Sequence, residues 1–261
     1  MRFINYCWDC ISDDAKSLSD GYPFTTTAIE GEINSNFIIE FNCNRGHHYL
    51  TYFDLEHFDL LYLAALDSFV KGCYSESVMS FSASLERIYE FFIRTVLIKK
   101  QNNLNQIESY WKNLNNLSER QFGAFCTLYY SETGDIWKTN DNMVKFRNSV
   151  IHKGKITSKE ETIIYANYVT DLLSKLVVLL KEKYCNYFMI LSEDRLNKIQ
   201  QECEKTAQIR SLELKSKKIN SPLKWFSSAP MYVKFDEVLR LHNLFDYFGN
   251  EKRNQVLINK K

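Results

Sequence analysis

The chain has 261 residues, 45% of them hydrophobic, 15% aromatic and 25% charged, an ordinary globular composition with room for one large domain or two smaller ones. Eight Gly and three Pro are too few for a collagen-like, linker-dominated or largely disordered chain, and no unbroken apolar run reaches the roughly 18–20 residues that cross a bilayer. The net charge of +1 conceals a gradient, with 3 Lys/Arg against 10 Asp/Glu in residues 1–60 and 11 against 5 in residues 210–261, an acidic head and a basic tail suited to a polyanion.

Residues 1–53 read as a small β-rich module. Asn36 to Phe41 is a short β-type run, and Gly21, Pro23, Gly31 and Gly46 punctuate the segment into turns. A module this small has little core of its own and needs a staple. The opening MRFINYCWDCISDD carries acids and cysteines where a signal peptide has its apolar stretch, so a cytosolic protein without a membrane segment is expected.

From Asp54 the period changes from 2 to 3.6. Phe58, Leu61, Tyr62, Ala65, Leu66 and Phe69 share one helical face, and Gly72 stops the helix. A second helix is expected from Ser75 or Ser77 to about Lys100, with Val78, Phe81, Leu85, Ile88, Phe92 and Val96 in its seam. Residues 101–116 are Asn-rich and read as a loop with one short helix. Further helices fall at 118–130 and 140–152, with Gly134 between them and Gly154 as a C-terminal stop.

Thr157 or Ser158 followed by Lys-Glu-Glu opens the next helix, which buries Tyr165, Tyr168, Val169, Leu172, Leu176 and Leu179 and reaches about Tyr187. Ser192-Glu193-Asp194 is read as opening a separate polar helix to about Lys217, and Phe235–Phe248 as a last short one. The expected organisation is a β-rich module (1–53), a helical domain (54–190) and a helical C-terminal extension (191–261), mostly α overall.

Cys7-Trp-Asp-Cys10 is a C-x2-C knuckle, and Cys43-Asn-Arg-Gly-His47-His48 supplies a second ligand pair. Zinc takes four soft or borderline ligands in a tetrahedron, and two such turns provide them. Gly46 lets the second turn close without a Cβ clash. Spacing favours His47 over His48 as the fourth ligand. The pattern resembles zinc ribbons, and a fully ligated ion of this kind is structural, with no open position for water.

Arg147-Asn148-Ser149-Val150-Ile151-His152 ends a helix and is followed by Lys153-Gly154. Cleaving RNA through its own 2′-OH needs a base, an acid for the leaving 5′ oxygen, and a cation for the charge on phosphorus. Histidine serves as either proton-transfer group near neutral pH, and arginine grips two phosphate oxygens at once. Asn148 and His152 are i, i+4 neighbours, whereas Arg147 lies about 140° around an ideal helix from His152. Either the helix ends in time to free His152, or two copies share one site.

This R-N-x-x-x-H stretch, behind the upstream helix carrying Ser80-Phe-Ser-Ala-Ser-Leu-Glu86-Arg-Ile-Tyr-Glu90, resembles the HEPN superfamily. That superfamily comprises α-helical domains, many of them metal-independent endoribonucleases of toxin–antitoxin, CRISPR-linked and phage-defence systems. The resemblance spans roughly residues 55–185. It implies a HEPN-like helical bundle and a homodimer in which Arg147 and His152 of two copies face each other across one cleft. It also implies RNA cleavage to 2′,3′-cyclic phosphate and 5′-OH ends without a catalytic cofactor. Asn148 would orient the phosphate or ribose. Glu86, or failing it Glu90, would supply the family's early-helix acid, and Lys153 and Lys155 would draw phosphate to the mouth. An antitoxin or a defence-complex partner is the implied protein partner. Two rival readings stay open: a non-catalytic HEPN module that binds a nucleotide or a protein, and a zinc-stapled scaffold.

Overall fold

In a computed structural model of the chain, residues 2–7, 9–10, 28–34, 36–52, 54–101, 103–114, 117–210, 213–214, 235–236 and 238–239 are described. The chain is mostly helical, with a small sheet ahead of the helical region. It divides into two compact units. The first holds the described residues up to Asp54 together with Asp194–Arg210 and 213–214, and the second holds Leu55–Glu193 with the described residues of 235–239.

In the first unit, β1 (Arg2–Tyr6), β2 (Ala28–Ile33), β3 (Ile38–Asn42), β4 (His48–Tyr52) and β5 (Glu213–Leu214) form a sheet in that order. Pairing is antiparallel from β1 to β4 and parallel between β4 and β5. Because side chains alternate across a strand, the pairing of Ile38 with Tyr52 and of Glu40 with Leu50 sets one face. Ile38, Leu50 and Tyr52 pack there against Ile199, Cys203 and Ala207 of the last helix. Arg210 closes that end, donating to both carboxylate oxygens of Glu40 at 2.5 and 2.9 Å.

Gly31 does not sit in a turn, as the sequence reading has it, but inside β2 opposite Phe3 and Phe41. A Cβ there would lie 2.5 Å from Ile39 Cγ2 and 2.8 Å from the Glu40 carbonyl oxygen. The glycine marks a close approach of strands rather than a bend. Gly46 does occupy a turn, at φ +87°.

The second unit contains α1 (His57–Val70), α2 (Tyr74–Gln101), α3 (Leu104–Leu114), α4 (Ser118–Thr133), α5 (Asp141–Lys153) and the first part of α6 (Lys159–Arg210). α2 brings small serines to the faces it buries. Ser77 donates to the Ala65 carbonyl at 2.8 Å and Ser84 to that of Phe58 at 2.7 Å, so α1 sits close with both buried serine hydroxyls paired. Tyr62 stacks edge-on against Phe81 and shares a 2.6 Å hydrogen bond with Thr170 of α6. Tyr89, Phe92, Phe125, Tyr129 and Trp137 form an aromatic core between α2 and α4. Phe235 is buried against Phe69 and Phe81; most of the expected last helix lies outside the described residues.

Three local outcomes refine the sequence reading. The Asn-rich stretch contains a regular helix, α3, held by Ile107 and Trp111 at i, i+4, with the Arg94 guanidinium 5.0 Å over the Trp111 ring. α6 consists of two helical stretches, as expected, but they meet across a kink at Tyr184 (φ −132°, ψ 20°) rather than between Tyr187 and Ser192, and the second runs to Arg210. Ser192 caps nothing, because its hydroxyl donates to Glu56 at 2.7 Å. The α6 seam is also wider than expected, with Leu173, Val177 and Leu180 buried and Leu172 and Leu179 half-buried. One 18-residue window of α6, mean hydropathy 1.5, is long and apolar enough to cross a membrane, and 56% of that window is buried inside the fold.

Glu132 ties three helices together. Its side chain, 6% exposed, accepts from Lys99 at 2.6 Å and Tyr184 at 2.9 Å and lies 3.3 Å from Lys100. Burial alone would raise its pKa, but these donors outweigh it and hold the carboxyl below its ordinary 4.5. A depressed native pKa stabilises above the unfolded value and is lost as pH falls through the native one. Glu132→Gln is therefore expected to cost about 1–3 kcal/mol at pH 7, with the deficit shrinking below pH 4.5 in urea titrations; a pH-independent difference would refute the ion-pair account. Gly31→Val is expected to cost at least about 1–3 kcal/mol through overpacking, and an unchanged urea midpoint would show that β2 and β3 are not so close.

Candidate functional site

Two groups of chemically active side chains stand out, one in each unit. In the first, Cys7 follows β1, Cys10 lies three residues on, and Cys43 and His47 flank the β3–β4 turn. That turn is closed by the Cys43 N–H on the His47 carbonyl at 2.8 Å and the Gly46 N–H on Cys43 at 2.9 Å. The three sulfurs and the His47 nitrogen all lie within 4.8 Å of one another. Cys10 and Cys43 Sγ are 3.2 Å apart, and His47 Nδ1 is 3.4 Å from both Cys7 and Cys10 Sγ. A tetrahedral site with metal–sulfur bonds near 2.3 Å has edges of roughly 3.5–3.8 Å, so this donor set fits a metal ion such as zinc.

The protonation chemistry points the same way. Burial, then the neighbouring Cys43 and Cys7 thiols, push the Cys10 thiol up to about 12, and burial raises Cys7. Burial also acts to raise Cys43, but the Arg45 N–H and hydrogen bonds from its neighbours bring it down to about 7. Three crowded thiols cannot all ionise together unless a cation sits among them, and a bound divalent ion deprotonates its thiols outright. His48 takes no part, since its Nε2 meets Glu40 at 2.6 Å.

In the second unit, α2, α4, α5 and α6 surround a pocket of about 560 Å3. Asn140 caps α5 by accepting from the N–H groups of Asn142 and Met143 at 3.0 and 3.4 Å, and Gly154 at φ 67° ends it. Glu86 on α2 and Arg147, Asn148 and His152 on α5 all line the pocket. Arg147 donates through one NH2 group to Glu86 and through the other to Asn148 Oδ1 at 3.0 Å. The Glu86 and Arg147 side chains keep 33% and 26% of their surface exposed, so screening limits the pair to the small contribution of a surface salt bridge. His152 is still helical, in the last turn of α5, and exposed. Glu90 faces elsewhere, pairing with Arg87 at 2.5 Å and Arg94 at 2.9 Å.

Lys155 is not free at the mouth. It pairs with Glu161 at 2.5 Å and lies 5.0 Å over the Phe146 ring. Glu161 also completes a capping box with Ser158, each backbone N–H meeting the other's side chain at 3.1 and 3.2 Å. Tyr165 is buried, as its spacing predicts, whereas Tyr168 is only half-buried, and both line the pocket, as do Gln121, Glu119 and Asp141. Tyrosine where leucine would serve packing was the available signal, since a buried hydroxyl needs a partner. Burial, offset in part by the nearby Arg147 charge, pushes the Tyr165 hydroxyl up to about 12.

The purified 261-residue chain is expected to carry close to one thiolate-bound metal ion by elemental analysis. Cys10→Ala should lose that ion and lower Tm, and a metal-free, fully folded preparation would refute the site. No family model, curated protein or solved structure matches this chain.

Proposed function

We propose that this chain is a metal-independent endoribonuclease of the HEPN type, working as a homodimer, with a structural zinc ion in its N-terminal module. The observation that carries the reading is the meeting of Arg147, Asn148 and Glu86 in one pocket with His152 at its edge. His152 takes the 2′-OH proton, and the 2′ oxygen attacks phosphorus. The 5′ oxygen leaves with a proton from the second histidine of the dimer, giving a 2′,3′-cyclic phosphate and a 5′-OH. Arg147 stabilises the charge that develops on the phosphoryl oxygens. Glu86 orients Arg147, and Asn148, which accepts from Arg147, turns its amide donors toward phosphate or ribose.

Pocket charge bears on where phosphate can sit. Glu86, Glu119 and Asp141 line the pocket with the guanidinium of Arg147, so a phosphodiester is drawn only to the stretch where the Arg147 residues of the two copies face each other. The zinc ion, held by Cys7, Cys10, Cys43 and His47, would staple the module without touching the reaction. A cytosolic toxin or antiphage effector, restrained by an antitoxin or a defence-complex partner, is the setting this chemistry suits. One observation favours a second reading, a non-catalytic HEPN module that binds a nucleotide or a protein: Arg147 is already engaged by Glu86 and Asn148.

The test is cleavage of tRNA and total RNA in EDTA at a level that leaves the thiolate site loaded. Wild type is expected to yield cyclic-phosphate and 5′-OH ends, and His152→Ala to fall by about 10²–10⁴-fold, while light scattering reports a dimer for both. Loss-free cleavage by the variant would overturn the role of His152. A folded dimer that cleaves nothing would favour the binding module.

A further inference from the structure

We infer that the inner part of the α2–α4–α5–α6 pocket is a nucleobase site, in which Tyr165 accepts and Tyr168 donates a hydrogen bond to the edge of one unpaired base. This rests on reading the pocket as a nucleotide site, not on its cleaving anything.

The polarity of Tyr165 follows from its partner. Ser82 Oγ donates its one hydrogen to the Val78 carbonyl at 2.7 Å. The 2.8 Å contact between Ser82 and Tyr165 must then run from the tyrosine hydroxyl to the serine oxygen. Tyr165, 3% exposed, therefore offers any ligand only lone pairs. Tyr168 has the opposite polarity. Its oxygen accepts from the Asn140 N–H at 3.4 Å, which leaves its hydroxyl hydrogen to donate. The two tyrosines are i, i+3 neighbours on α6 and both line the pocket. Between them they offer one pocket an acceptor and a donor, the groups that complement a base edge carrying a donor and an acceptor.

Charge and shape decide which part of a nucleotide goes where. Glu119 and Asp141, the lining carboxylates outside the Glu86–Arg147 pair, keep the phosphate toward Arg147. The uncharged base takes the remaining space, where Phe122, Met143 and Val144 supply apolar contact and base–aromatic stacking is favourable. Along α5, Asp141 and His152 are separated by about 16 Å, enough for a phosphate at the Arg147–His152 end and a base beside Met143 and Val144. An edge engaged in a duplex could not reach the tyrosines, so the base must be unpaired.

The experiment titrates the 261-residue chain carrying His152→Ala with each of the four ribonucleoside 3′-monophosphates and with inorganic phosphate, by calorimetry. One nucleotide is expected to bind at least about tenfold tighter than the weakest and than phosphate. Tyr165→Phe and Tyr168→Phe, which keep the rings, should each weaken it about five- to tenfold and level the four. Ser82→Ala frees the Tyr165 hydrogen and should also weaken the preferred base, with no further loss when combined with Tyr165→Phe. Equal binding of all four, binding no better than phosphate, or an unchanged ranking in both Phe variants with native circular dichroism overturns the proposal. Base selectivity in a chain whose wild type never cleaves RNA would leave the base site standing and remove the nuclease reading. Cleavage that ignores base identity and both Phe substitutions would do the reverse.

Discussion

Residues of α6 are buried in two different cores, and most of the architecture follows from that demand. Tyr165, Val169, Leu173, Leu176 and Leu180 fill the helical unit, while Ile199, Cys203 and Ala207 cover one face of the sheet. Each large apolar side chain buried this way contributes about 1.5–3 kcal/mol, so both halves of the helix are held by packing rather than by propensity. The one irregular residue, Tyr184, is itself anchored, with its hydroxyl on Glu132 at 2.9 Å, its ring near Phe92 and the Lys99 ammonium over that ring. A break in backbone regularity is thus offset by side-chain contacts.

The pocket obeys a constraint of charge. Arg147 is the single guanidinium among three lining carboxylates, and Glu86 holds it between α2 and α5. That contact orients the cation but neutralises much of its field, so the arrangement favours ligands whose charge is confined to one end. The hydroxyl pair on α6 and the apolar side chains of α4 and α5 supply the uncharged end.

In the sheet unit the constraint is different. One sheet face rests on α6, and near the cluster Phe41 and Tyr49 meet at 5.6 Å. The remaining organisation comes from three thiols and an imidazole crowded within 4.8 Å, an arrangement that repels itself when ionised and becomes cohesive around a cation. The module needs a staple for the reason any small sheet does: too little apolar surface is available to offset chain entropy.

Much of this was legible in the residues because it is encoded over short range. The 3.6-residue periods of α1, α2 and α4, the stops at Gly72, Gly134 and Gly154, the Ser158–Glu161 start of α6 and the two ligand pairs all depend on neighbours within a turn or two. What lay beyond was decided by packing between elements. Gly31 reads as a turn residue until β3 is placed against it, and Ser192 reads as a cap until Glu56 takes its hydroxyl. Glu86 and Glu90 are one turn apart on α2, and only the packing of α5 determines that Glu86 meets Arg147 while Arg87 and Arg94 hold Glu90. Tyr165 and Tyr168 have the spacing of core residues, and only the pocket bounded by four helices turns their hydroxyls into potential ligand contacts. By itself the sequence determined the elements and the chemical inventory, since those follow from local periodicity and residue type. The tertiary structure decided which groups share a site, because that depends on how helices far apart in the chain are rotated against one another.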